Sequence, residues 1–196
     1  MNDAAPLSSL ARAPNAHVRA RLIGIAGGVI ILISVGAALL PLASNIPAAN
    51  VIGTMMVAAG VIEVLAGALR FRNRFAAMLP GAVTVVAGTL FAHEAFAAFV
   101  PTVRLIAAWL AARGAVLAFS SLDARGSVRF WTVIAAGTDL SLSAILLLGL
   151  SATTITITFF GPTPEIVASF AWVLALTFVA TGMLLLEIAG SDLERA

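Results

Sequence analysis

Apolar residues run along this chain in long, nearly unbroken blocks, and polar residues gather in the short gaps between them. The blocks show neither the polar face of an amphipathic helix nor the sustained alternation of a half-buried strand. Six of them approach the ~20 residues that bridge the hydrocarbon core of a bilayer as a helix. They cover residues 22–40, 49–69, 75–91, 99–119, 130–150 and 166–188. A backbone amide left unpaired in lipid costs several kcal/mol, so runs of this length are predicted to be helical. The pattern predicts an all-α integral membrane protein with six transmembrane helices. One short piece, residues 153–160 (TTITITFF), does alternate. A lone strand cannot face lipid, so this piece reads either as a loop at the outer water interface or as a frayed helix end.

The blocks also set the organisation. Residues 1–20 are polar, carry Pro6, Arg12, Pro14 and Arg19, and read as a mobile N-terminal tail. Residues 21–190 form the membrane domain, and 191–196 a short C-terminal tail. The block after Arg21 imitates the apolar core of a signal peptide. It exceeds the usual ~7–15 residues and follows a long leader, which favours a retained first helix.

Composition removes the soluble alternative. The chain is 61% hydrophobic and 10% charged, against about 25% charged in a soluble domain, with a mean hydropathy of +1.09. All eleven basic residues are arginine, which lifts the isoelectric point to about 11.0 although the formal net charge is only +2. A basic protein invites a nucleic-acid reading, but no long basic face exists, so nucleic acid is not an expected partner. The expected partner is the lipid bilayer.

The arginines instead sit in clusters at alternate gaps. Arg12, Arg19 and Arg21 precede the first block, Arg70, Arg72 and Arg74 follow the second, Arg125 and Arg129 follow the fourth, and Arg195 follows the sixth. The other three gaps have none. By the positive-inside rule both termini are expected in the cytoplasm.

The six blocks read as three repeated helical hairpins, at about residues 22–70, 75–120 and 130–188. Each first helix starts after an arginine (Arg21, Arg74, Arg129) and soon meets a glycine (Gly28, Gly81, Gly137). Each outer turn carries proline: Pro41 and Pro47, then Pro101, then Pro162 and Pro164. Each second helix has a glycine in its later half: Gly60, Gly114 and Gly182. In lipid no hydrophobic force draws helices together, so small residues that let backbones approach are expected at contacts. Gly24-x-x-x-Gly28, Ala59–Gly60 and Ala66–Gly67 have this character. The same Gly and Ala faces offer a surface for a homo-oligomer.

This combination resembles a known family. Three apolar hairpins, proline after the first helix, Gly-Val-Ile-Glu at 60–63, Trp109 with Arg113-Gly114, and Gly137-Thr-Asp139 are similar to the HdeD-type acid-resistance membrane proteins. The resemblance spans about residues 20–190 and implies a six-helix protein of the bacterial inner membrane associated with acid stress. It implies no catalytic residue and no cofactor.

The residue inventory points the same way. Without cysteine, tyrosine or lysine, thiol, phenol and amine chemistry have no side chain to use, and His17 and His93 are the only histidines. No metalloprotease helix, serine nucleophile elbow or phosphate loop is present. No catalytic or metal site is predicted, and an intramembrane enzyme is the least supported class.

What remains are ions where lipid should be. Glu63, Arg104, Arg113, Asp139 and Glu187 fall within or at the edge of the blocks. A charge at the bilayer centre costs at least ~2.5–3.5 kcal/mol, so these residues need shelter. At ~1.5 Å per residue, Glu63 and Arg113 lie about 10 Å, and Asp139 about 15 Å, from the arginine-bearing end. Arg113 is therefore predicted to be shared between Glu63 and Asp139, because its planar fork can bridge two carboxylates and stays charged.

One guanidinium facing two acids leaves room for one acid to hold a proton. The cluster is then either structural glue or a proton-sensitive element. Arg104 lies on the opposite face of its helix, near the outer end, where its long stem can reach the headgroups. His93 or Glu94 is its candidate partner, and a histidine there would titrate near about pH 6.5. Glu187, near the cytoplasmic end, is expected to reach water. The leading functional expectation is a non-enzymatic acid-stress protein; the alternative is a transporter or channel for protons or a small solute.

Overall fold

A computed structural model of the chain describes residues 13–39, 48–70, 73–92, 102–148 and 165–194. They form six helices: α1 (Ala13–Leu39), α2 (Ala48–Ala68), α3 (Arg74–Ala92), α4 (Thr102–Asp123), α5 (Gly126–Leu147) and α6 (Glu165–Leu193). Each is long and apolar enough to cross a membrane, and the described residues contain no strand. The protein is all-α and built as a multi-pass membrane protein.

The helices outrun the apolar blocks at the arginine-bearing end. α1 starts at Ala13, so residues 13–20 are helical rather than part of the tail, with Pro14 in the first turn where a missing N–H has no cost. α4 continues to Asp123, α5 already begins at Gly126, and α6 runs to Leu193. Apolarity marks the depth of the hydrocarbon, whereas a helix can continue into water with polar residues. The alternating piece at 153–160 and the prolines of the outer turns lie outside the described residues.

The surface shows which solvent the fold is built for. Along α1, Val18, Leu22, Ile25, Val29, Leu32, Val35 and Leu39 are exposed, while Ala20, Ile23, Ile30, Ser34 and Ala37 are buried. The exposed stripe is at least as apolar as the buried one. In water such a stripe would be a large aggregating patch; in lipid it is the solvated face.

Helix packing does not follow the expected hairpins. The closest pairs are α2 with α3, α4 with α5, and α1 with α6, while α1–α2, α3–α4 and α5–α6 pack less extensively. Close approach within these pairs rests on small residues. A Cβ on Gly60 would lie 2.8 Å from the Gly81 carbonyl oxygen, and one on Gly81 would lie 2.7 Å from the Gly60 oxygen. A Cβ on Gly182 would lie 2.8 Å from the Gly27 oxygen, and one on Gly114 would meet Leu140 at 2.9 Å and the Ala136 oxygen at 3.2 Å.

Further along, the three contacts keep one register. Ser34 donates to the Ala175 carbonyl and Ser143 to the Ala107 carbonyl, both at 2.8 Å. At the matching place in α3, a Cβ on Gly88 would lie 2.9 Å from the Gly53 oxygen. Gly60 thus meets Gly81, Gly114 meets Ala136 and Gly182 meets Gly27, so the contacts run between successive hairpins, and between the last and the first.

Two of the expected contact glycines are not contacts. Gly28 and Gly137 have nothing within 4 Å of an added Cβ, and the neighbouring Gly27 and Ala136 make the close approach instead. Gly24 faces Ala189 at an ordinary 3.5 Å. A helix turns ~100° per residue, so an error of one position moves a residue off the contact face.

α6 is the central helix. Of its apolar window 67% is buried, against 28% to 44% in the other five. It packs on α1, α5 and α2 and turns Thr177 and Thr181 into the bundle, at 0% and 1% exposure.

These contacts predict opposite effects for two glycines. Gly81→Val should destabilise the detergent-solubilised protein by about 1–3 kcal/mol through overpacking. Gly28→Ala should leave stability unchanged or raise it by up to about 1 kcal/mol. Denaturant titration followed by circular dichroism measures both.

Candidate functional site

Three helices bring their single interior ion to one point. Arg113 of α4 is the largest of the fully buried side chains, at 1% exposure, between Glu63 of α2 at 7% and Asp139 of α5 at 0%. Its Nη2 donates to Glu63 Oε1 at 2.9 Å, and its Nη1 to Asp139 Oδ2 at 2.5 Å. Thr181 Oγ1 accepts a further bond from Nη2 at 2.6 Å and donates its own to the Thr177 carbonyl at 2.8 Å. Thr177 Oγ1 donates to the second oxygen of Asp139 at 2.9 Å. The network therefore ties α2, α4, α5 and α6 together through one guanidinium. Arg113 Nε finds no acceptor among the described residues.

The two carboxylates are not equivalent. Both oxygens of Asp139 accept a bond, one from Arg113 and one from Thr177. Glu63 uses only Oε1, and Oε2 accepts no bond among the described residues. Glu63 also lines a cavity of about 50 Å³, room for about three waters. That cavity runs along α2 past Gly67 to Arg70, with Ser120, Thr132 and Thr181 in its walls and Ala124 near its end. Arg70 lies just beyond α2 and is half-buried; burial pushes its guanidinium below the ordinary value, and the Asp192 carboxylate offsets part of this.

Towards the other end the bundle holds buried apolar side chains. Ile52, Met56, Ile106 and Leu110 are 0% or 1% exposed, and Trp109 Nε1 donates to Thr84 Oγ1 at 3.2 Å, linking α4 to α3. Thr84 in turn donates to the Pro80 carbonyl at 2.9 Å.

No family model, no curated protein and no solved structure matches this chain. The likeness to HdeD-type proteins rests on the sequence motifs alone.

The other candidates are placed apart from the cluster. Arg104 is exposed, two residues into α4, and its proposed partners His93 and Glu94 lie outside the described residues. Glu187 is half-buried and accepts a bond from Ser127 at 2.5 Å, which ties α6 to the start of α5. Asn73 and Asp123 make a similar tie at the same end, at 3.3 Å.

Sequence reasoning passed over the threonines. Thr177 and Thr181 are four residues apart, hence on one helix face, in an otherwise apolar stretch. That spacing was the available signal. The cavity had none, since Gly67, Ala76, Ala77 and Ala124 contribute to it only by being small.

Removing one member of a buried ion pair leaves an uncompensated charge, so Arg113→Ala should cost about 3–5 kcal/mol. Replacing all three ions together (Glu63→Leu, Arg113→Met, Asp139→Leu) should restore much of that loss, because no ion is then left unpaired. Equilibrium unfolding in detergent distinguishes the two variants.

Proposed function

We propose that this is a non-enzymatic protein of a bacterial inner membrane, with both termini in the cytoplasm, that supports survival in acid in the manner the HdeD-type resemblance implies. The observation that carries the reading is one buried guanidinium bonded to two carboxylates from different helices. With both acids ionised the cluster carries a net charge of −1, and a single proton neutralises it. Protonating one acid replaces an ion pair to Arg113 by a neutral contact and so weakens one of the ties that join four helices. The cluster would thereby turn acidity into a change in how the helices are held.

Transport of protons or a small solute is the second reading. It needs a polar route to both ends of the bundle. The cavity gives Glu63 a route towards one end, while the fully buried Ile52, Met56, Ile106 and Leu110 favour a responsive element over a conducting one.

Expression in an acid-sensitive bacterial strain should raise survival after acid challenge, and Glu63→Gln at equal membrane abundance should remove most of the gain. A Glu63→Gln protein that protects as well as the unaltered chain would reject the reading. Separately, proteoliposomes holding the protein should show no proton flux above that of empty vesicles; flux abolished by Glu63→Gln would favour the transport reading.

A further inference from the structure

We propose that Glu63, and not Asp139, is the proton-exchanging group of the cluster, and that the cavity beside it is a water path reaching it from the arginine-bearing end. The inference deepens the proton-responsive reading and rests on it.

Three independent features carry it. The first is access: Glu63 lines the cavity and Asp139 does not. The second is bonding capacity. Asp139 has both oxygens occupied, whereas Glu63 Oε2 is uncommitted among the described residues. A proton arriving at Oε2 meets an oxygen that accepts no bond, whereas a proton on Asp139 lands on an oxygen that already accepts one from Arg113 or from Thr177.

The third is the chemistry of the walls. Ser120 Oγ donates to the Val116 carbonyl at 2.8 Å, Thr132 Oγ1 to the Val128 carbonyl at 2.7 Å, and Thr181 Oγ1 to the Thr177 carbonyl. Each hydroxyl proton is spent on its own helix, so the hydroxyls and Glu63 present oxygen lone pairs to the space. Beside Glu63 the wall thus offers acceptors that suit water as a donor, while the Arg70 guanidinium, a donor, stands at the cavity's end.

The step is simple: a hydronium in the cavity transfers its proton to Oε2 and leaves as water, and the reverse transfer regenerates the carboxylate. The charged groups around Glu63 are Arg113 from α4 and Asp139 from α5, with Arg70 at the end of the cavity and Asp192 of α6 beside Arg70. α3 meets Glu63 through Gly81, which is small and neutral. On the far side, Ile52, Met56, Ile106, Trp109 and Leu110 are buried.

The test uses the full chain reconstituted in phosphatidylcholine–phosphatidylglycerol vesicles and followed by infrared difference spectroscopy between neutral and acidic pH. The protonated-carboxyl stretch and its shift on transfer to D₂O are recorded. Ser120→Leu narrows the cavity without touching the cluster. It should leave the band in place and slow its D₂O shift about tenfold, a barrier rise of about 1.4 kcal/mol.

The band slowed by Ser120→Leu should move when glutamate carboxyls carry ¹³C and stay when aspartate carboxyls do. It should also vanish in Glu63→Gln and persist in Asp139→Asn. The isotope arm decides the point even where a cluster variant fails to fold. A band that follows the aspartate label, or an exchange rate indifferent to Ser120→Leu, overturns the proposal. A sodium-dependent loss of the band at fixed pH also overturns it, since the cavity would then be a cation site. If Glu63 exchanges as stated while Glu63→Gln cells survive acid normally, the exchange site stands and the acid-stress reading falls.

Discussion

Lipid cannot solvate a guanidinium, and the arrangement of this bundle answers that constraint. Arg113 is charged at every accessible pH, and an ion of this size in hydrocarbon must find protein partners. It finds them on three other helices at once: Glu63, Asp139 and Thr181 each take a bond from it. The attraction between these groups has to offset several kcal/mol of desolvation for each ion. A network of this kind is held tightly when complete and is costly when a member is missing. The same property makes it a point where one proton can matter.

The network exists only because the backbones come close. Glycine on glycine between α2 and α3, and between α6 and α1, together with Gly114 against α5, lets the helices approach until carbonyls touch the neighbouring chain. On α2, Glu63 lies one turn from Gly60; on α4, Arg113 precedes Gly114; on α6, Thr181 precedes Gly182; on α5, Asp139 follows Ala136 by three. Glu63, Arg113, Thr181 and Asp139 are thus each within one turn of a close-packed position. Packing supplies the geometry, and the Arg113 bonds join four helices within it.

Much of this was legible in the chain, for physical reasons that differ from feature to feature. The six helices follow from block length, because hydrocarbon thickness is a fixed ruler. The company of Glu63, Arg113 and Asp139 follows from comparable depth and opposite sign. Helix ends were less legible, since α1 and α6 continue with polar residues beyond the apolar blocks. The packing faces were legible only in part: Gly60, Gly81, Gly114 and Gly182 make close contacts as expected, whereas Gly28 and Gly137 make none. Exposed Leu32 and buried Ile30 are equally apolar, so a sequence in lipid carries no inside-out rhythm, and nothing in it separates Gly27, which makes the contact, from Gly28, which does not. Helix order in space escaped too, because the pairs that pack most closely are not the ones joined by the shared hairpin marks.

The bundle requires Arg113 to be held between its two acids while the chain sits in a bilayer. Solid-state NMR dipolar recoupling between ¹⁵N-guanidinium and ¹³C-carboxyl groups measures this directly in lipid, with Glu63→Gln and Asp139→Asn samples assigning each contact. The structure predicts strong coupling of the Arg113 guanidinium to both carboxyls and none to lipid phosphorus. A guanidinium coupled to phosphate and to neither acid would contradict it.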